Sequence, residues 1–491
     1  MRRIFKKSNL KYVVAFLAPL ILTMIIVNCL DNDSWGVLAE GRYVINNGVH
    51  YYDVFSMHDG LEYISQGYGF SVIFWLIYSA FGPTGIYIGM LLLNFIICFL
   101  LYKICMLLSK KNINLSLLVM MVTDIMLILF GFVTTRAQMI SYVIFLALIY
   151  VLELYINTGK WKYLCWAPLL SLLQVNLHAS LWLMISLVFL VYVIDSKRAP
   201  LLHLQGYKKI PLLVAWLAVL LVGFINPYGS RMLTLIFSAY GDSVFMNLVV
   251  ELRSFDLRTI DNVLLYLAIS TVLVLYIFGN GKNMRMRYLL MFFGFLALGL
   301  NSVKGMSQFI LVMFLPLALV YKNVRIEKVI EAKIGRKAVM LWSGVVVLVL
   351  FVVITPVAAM QVKESADEAI ITAIDIMDEE VEKEGKEKGE MKVYVGYNDG
   401  GYVEFRGYRA YLDPGGVIFL KKDEEGDSVL HEWVRLEDGK ENKYDFLSKY
   451  EFDFLLVRSE NDPLYNLKDE RYFELYQNEE YQTKVFKKMQ R

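Results

Sequence analysis

The sequence has few of the residues that build small secreted or metal-stapled folds. Only four cysteines occur in 491 residues. Cys29, Cys98, Cys105 and Cys165 all fall in or beside apolar runs, so neither a disulfide framework nor a thiolate metal site is indicated. No small-x-small cleavage site follows the apolar run behind the basic start MRRIFKKSNLK, so this segment reads as an uncleaved first span. No glycine-rich phosphate loop is present, and Gly400-Gly401 and Gly415-Gly416 read as turns. No internal repeat is found. Acidic residues are scarce in the first 360 positions, which hold 15 Asp and Glu against 29 Lys and Arg. Residues 361–491 hold 32 acidic and 20 basic residues. The net charge of +2 therefore divides into +14 and −12.

What is abundant is apolar. The chain is 57% hydrophobic with a mean hydropathy of +0.49, too apolar for an ordinary soluble protein. Runs long enough to approach a bilayer thickness lie at 12–30, 84–108, 113–132, 137–156, 162–177, 180–196, 210–226, 262–279, 288–302, 306–321 and 338–356. Alternate gaps between them are basic, from Arg2, Arg3, Lys6, Lys7 and Lys11 through Lys110 and Lys111 to the six cations between Lys322 and Lys337. That parity places the N-terminus inside and the C-terminal part outside. It also decides how the apolar stretch 68–108 divides. Two full spans would reverse every later loop. Tyr68–Phe81 is therefore expected as a surface helix, set off at Gly82-Pro83.

The expected fold is a mainly α polytopic membrane protein with about 11 transmembrane helices. A small extracytoplasmic α/β C-terminal domain follows. The division is 1–356, with a first outer loop at 31–83, and 357–491. In the acidic part, 364–384 reads as an amphipathic helix. Residues 391–396, 409–413 and 452–458 read as strands, the end as a hairpin around Asn478-Glu479-Glu480, and 443–450 and 464–471 as helices.

The expected outer face collects polar side chains. The first span is followed at once by Asp31-Asn32-Asp33-Ser34-Trp35, and the same loop holds Glu40, Arg42, His50, Asp53, His58, Asp59 and Glu62. Later outer segments bring Arg136, His178, Arg231, Glu251 and Lys304. Carboxylates can act as general bases toward a hydroxyl or amine, and cations can hold a phosphate. Plainer roles stand beside these. Asp31 or Asp33 can cap a helix starting near Ser34. Arg136 can reach to lipid headgroups. His178 can be a packing histidine, and Glu251 with Arg253 a surface ion pair. The spacing of His50, Asp53, His58 and Asp59 matches no strong metal-ligand pattern.

These residues resemble the GT-C class of membrane glycosyltransferases, which includes protein O-mannosyltransferases and aminoarabinose transferases. The resemblance is to bacterial members. It rests on Asp31-Asn32-Asp33-Ser34-Trp35, Gly41-Arg42-Tyr43-Val44-Ile45, Gly48 and Asp53-Val54-Phe55-Ser56. Further echoes are Arg136-Ala137-Gln138, Asn176-Leu177-His178, Asn226-Pro227-Tyr228-Gly229 and Gly400-Gly401-Tyr402. The chain departs from the pattern at Val37 and Leu38, where relatives often carry a histidine. It departs again at Gln66-Gly67-Tyr68-Gly69, where they often carry Glu-Trp.

The resemblance implies inverting transfer of a sugar from a polyprenyl-phosphate donor to a lipid, glycan or protein acceptor at the outer face of the cytoplasmic membrane. Asp33, whose spacing to Gly48 fits better than that of Asp31, is the implied base. Arg136, Lys304, His178 and Arg231 would hold the leaving phosphate. Asp31, Asp53 and Glu251 would contact substrate. Phosphate is a good leaving group, so the scheme needs no general acid, no cofactor and no metal. Membrane lipid is an expected partner and nucleic acid is not. The rival readings are a transporter or flippase of lipid-linked saccharide and a non-catalytic cell-envelope assembly protein.

Overall fold

The computed structural model describes residues 10–27, 30–195, 207–238, 242–254, 265, 269–273, 285–322, 368–422 and 427–489. The expected span 338–356, and 262–279 apart from 265 and 269–273, lie outside the described residues, as does Cys29. Within the described chain the protein is mainly helical, with one small sheet.

In chain order the helices begin with α1 (Leu10–Ile26), α2 (Asn32–Asn47), α3 (Tyr68–Leu108) and α4 (Ile113–Leu129). Next come α5 (Gln138–Thr158), α6 (Trp166–Leu177), α7 (Trp182–Asp195) and α8 (Lys209–Val222). The short α9 (Arg231–Ser238) and α10 (Ser243–Leu248) precede α11 (Met286–Asn301) and α12 (Val303–Met313). The C-terminal part contributes α13 (Glu368–Glu384), β1 (Lys392–Tyr394), α14 (Gly400–Phe405) and β2 (Arg409–Ala410). It ends with α15 (Val429–Glu437), α16 (Lys443–Tyr450), β3 (Phe454–Val457), β4 (Tyr472–Asn478) and β5 (Thr483–Lys488).

Local chemistry sets several boundaries. Asn112 caps α4 through its side chain, 3.1 Å from the Leu115 amide. Gly159 ends α5 with a φ of 68°. At Gly82 the backbone of α3 turns to φ 61° before Pro83, so the expected break between Tyr68–Phe81 and the arm that follows is present. Helices Tyr68–Leu108 and Gln138–Thr158 are long and apolar enough to cross a membrane. The other apolar helices, such as Ile113–Leu129 and Met286–Asn301, run 10–17 residues.

The chain forms two compact units. One contains residues 1–27, 87–229 and 249–362, and the other 28–86, 230–248 and 363–491. The expected boundary after residue 356 kept the first loop with the spans; by internal contact the loop belongs with the tail. The reason is direct pairing. Met57 donates its amide to the Ala410 carbonyl at 2.9 Å, and Ser56 bridges Ala410 in parallel register. Arg409 donates to the Ser56 carbonyl at 3.1 Å and pairs with Asp59 at 2.8 Å.

In the first unit, buried polar groups join the helices. Ser171 of α6 donates to the Val219 carbonyl of α8 at 2.9 Å and accepts from the Trp182 indole at 2.8 Å. Asn94 of α3 donates to Thr23 of α1 at 2.9 Å and to Asp124 of α4 at 3.3 Å. Glu153 of α5 takes Arg287 of α11, Tyr192 of α7 and Tyr288 as partners.

The tail of the second unit carries a five-stranded sheet in the order β2-β1-β3-β5-β4. β1 runs parallel to β2 and β3, and the hairpin β4–β5 attaches antiparallel through β5. All four residues of β3 are buried, which fits its unbroken apolar run. The expected strands and the closing hairpin are present. The helix expected at 464–471 is not. Asp462 caps the Leu464 amide at 2.8 Å and Asp469 accepts from the Arg471 amide at 2.9 Å, so successive turns replace it. Asp-Pro at 462–463 favours turn initiation over helix here.

Candidate active site

The second unit gathers carboxylates around the start of α2. Asp31 is the helix cap. Its Oδ1 accepts from the Ser34 amide at 3.0 Å and the Ser34 hydroxyl at 2.7 Å, while Ser34 Oγ accepts from the Asp31 amide at 3.2 Å. This reciprocal box satisfies donors that would otherwise be orphaned. The structure thus gives Asp31 the cap of α2.

Asp33 stands two residues on, in the first turn, half-buried at the positive end of the helix dipole. Trp35 fixes the turn. It is 2% exposed, with its ring 4.9 Å from Tyr402, 5.0 Å from Phe405 and 6.3 Å from Tyr78. The backbones of α2 and α14 meet closely beside it. A Cβ on Gly401 would lie 3.0 Å from the Gly36 nitrogen and 3.3 Å from the Asn32 carbonyl oxygen. A side chain at 401 would fit only if the α2 backbone gave by a few tenths of an ångström. The turn reading of Gly400-Gly401 is corrected: the pair opens helix α14.

Asp53 turns the loop. Its two oxygens accept from the Phe55 amide at 3.1 Å and the Ser56 amide at 3.0 Å. Behind it lie two tail carboxyls, Glu404 of α14 and Asp413 after β2, 6% and 8% exposed. They are within hydrogen-bond reach of each other. Burial, then the charges of Asp413 and Asp53, push Glu404 well above the usual carboxylate range. Burial, then Asp53, push Asp413 up to about 7, with Asp33 adding in the same direction. Asp413 raises Glu404 because ionising both would place like charges together in a buried site. A half-buried carboxylate on a rigid turn, backed by such a pair, can accept a proton from a bound hydroxyl or amine.

Neither Glu404 nor Asp413 stands out in the sequence. The signal available is a glutamate between Val403 and Phe405 in an apolar stretch directly after Gly-Gly. Arg231, expected to hold phosphate, pairs instead with Glu62 on the exposed surface of the same unit.

The remaining expected residues lie at one end of the helical unit. Arg136 pairs with Glu251, each about a third exposed. Gln138 donates to Ser307 at 3.1 Å, and Ser307 donates to the Lys304 carbonyl at 2.7 Å. Lys304 makes no ion pair among the described residues. His178 lies between two hydroxyls, Ser141 at 2.7 Å from Nδ1 and Ser180 at 2.8 Å from Nε2. Desolvation of the ring, then the Lys304 charge, hold His178 well below the usual imidazole range. It is neutral at pH 7 and has no charge to offer a phosphate, so the packing alternative fits it better. Arg136 and Lys304 supply the cationic character of this end.

Among the described residues no group of three or more His, Cys, Asp or Glu side chains is arranged to hold a metal ion. No protein-family model matches the chain, and no curated protein matches it. The chemistry of the site therefore rests on its geometry.

Proposed function

We propose that the protein is a polytopic membrane glycosyltransferase of the GT-C kind, with about 11 spans. It would move a sugar from a polyprenyl-phosphate donor to an acceptor at the outer face of the cytoplasmic membrane. The observation that carries this reading is Asp33, held by the Asp31 cap and the Trp35 anchor next to the buried Glu404–Asp413 pair. A base needs a fixed position, and the cap and the Trp35 packing support one for this turn.

In the proposed step the acceptor hydroxyl loses its proton to Asp33 as its oxygen attacks the anomeric carbon. The bond from that carbon to the phosphate oxygen breaks, and polyprenyl phosphate leaves with the electron pair. The developing phosphate charge calls for a cation. In the helical unit Arg136 carries Glu251 as its counter-ion. The lipid tail of the donor keeps it in the membrane, consistent with helices apolar enough to cross one.

The reading is tested by mass spectrometry of surface glycans from cells with and without the protein. Loss of one defined sugar in its absence is the expected result. Identical glycan profiles would remove the transferase assignment.

A further inference from the structure

A cleft of about 400 Å³ opens in the loop-and-tail unit, on the side of Glu404 that faces α2. Its size falls within the roughly 300–1,000 Å³ of small-molecule sites. Arg42, Tyr43 and Asn46 line it from one face of α2, with Asn47 at the helix end and Glu404 and Tyr408 from the tail. Two side-chain amides, two phenols, a carboxyl and the guanidiniums of Arg42 and Arg409 give donors and acceptors beside an aromatic wall. That is the chemistry that reads sugar hydroxyls, each of which both donates and accepts.

Two observations mark the cleft as unfilled by the protein itself. Glu404 is only 6% exposed, yet its Oε1 has no hydrogen-bond partner among the described residues. A buried polar atom in that state costs stability unless something else completes it. On the rim, the Asn46 side chain makes no hydrogen bond among the described residues, and the Asn47 amide donates only to the Tyr43 carbonyl of its own helix, at 3.2 Å. Both lining cations are already tied down. Arg409 donates to the Ser56 carbonyl at 3.1 Å and pairs with Asp59 at 2.8 Å. Arg42 is engaged as well. It donates to the Phe405 carbonyl at 2.7 Å and stacks over Phe405 and Trp75, so it serves as a wall more than as an anion anchor. This favours an uncharged ligand over a phosphate or a uronate.

We propose that this cleft is a binding subsite for an uncharged saccharide, the acceptor chain of the transfer reaction. Glu404 lines the cleft and also reaches Asp413 behind it. The inference rests on the transferase reading for the word acceptor, and on the cleft alone for the binding.

The experiment uses the full chain in lipid nanodiscs and saturation-transfer NMR with maltotriose, cellotriose, mannotriose and chitotriose, and with a trigalacturonate as the charged probe. At least one uncharged trisaccharide is expected to bind. Asn46→Trp fills the rim from an exposed position and is expected to weaken that binding by about tenfold or more without lowering the melting temperature. Asp33→Asn is expected to keep it. Binding of trigalacturonate alone, no binding of any probe, or equal binding by wild type and Asn46→Trp would each overturn the subsite. The two readings fail separately. Lost transfer in Asp33→Asn with no probe binding removes only the subsite, whereas retained transfer with probe binding removes only the catalytic assignment.

Discussion

Five carboxylates near one turn differ in duty, decided by their partners. Asp31 is consumed by the Ser34 amide and hydroxyl, Asp53 by the amides of Phe55 and Ser56. Asp413 accepts from the Gly415 amide and is pushed up by burial, then by Asp53. Asp33 alone combines partial exposure with a place on the first helical turn. The raised Asp413 has a consequence for stability. Asp413 titrates near 7 in the folded protein, above the roughly 3.9 of an unfolded aspartate. Between those values the folded chain binds more protons than the unfolded one, so this group lowers stability as pH rises through the window. Asp413→Asn keeps an oxygen for Gly415 and removes the titration. Its melting temperature should match wild type at pH 4 and exceed it at pH 8, with the gain growing between. An equal gain at both pH values would show that no titration is involved.

Helix α14 is six residues long and is held by what its glycines permit. A Cβ at Gly400 would fall on the Leu412 carbonyl and 2.8 Å from the Asp413 Cα. Gly400→Ala should therefore cost about 1–3 kcal/mol, as overpacking does, and reduce protection of the α2 amides in hydrogen exchange. Unchanged exchange in α2 would mean that α14 does not clamp it. Elements with a local signature are legible in the amino-acid sequence alone. The Asp31–Ser34 spacing announces a cap, Gly82-Pro83 a break, and the apolar run at 454–457 a buried strand. Partnerships across long stretches of chain are not legible in this way. Trp35 finds Tyr402, Arg136 finds Glu251 and Arg409 finds Asp59 only because the fold brings them together. Residues 464–471 mislead because their apolar spacing suits a helix while Asp462, Pro463 and Asp469 favour turns. Glu404 and Asp413 are inconspicuous because each alone looks like an ordinary tail carboxylate. Their burial, and each other, make them unusual.

The molecule combines a basic, apolar set of helices with an acidic loop-and-tail unit, and each part keeps its charged groups by pairing them. In the helical unit, Arg287 donates to Glu153 at 2.8 and 3.1 Å and to Asp195 at 3.0 Å, and Tyr192 and Tyr288 complete Glu153 at 3.0 and 2.6 Å. This joins α5, α7 and α11. Arg287→Ala leaves Glu153 buried without its cation and should cost about 3–5 kcal/mol in detergent unfolding. The double variant Glu153→Gln with Arg287→Met should lose less, because no uncompensated charge remains. Equal losses would place the effect in packing rather than pairing. The central claim concerns Asp33, and one measurement tests it most directly. Cells lacking the protein are complemented with wild type or Asp33→Asn at equal membrane levels, and surface glycans are read by mass spectrometry. The account predicts that wild type restores the missing sugar and Asp33→Asn leaves the profile of the deletion. Restoration by Asp33→Asn to the wild-type profile would contradict it.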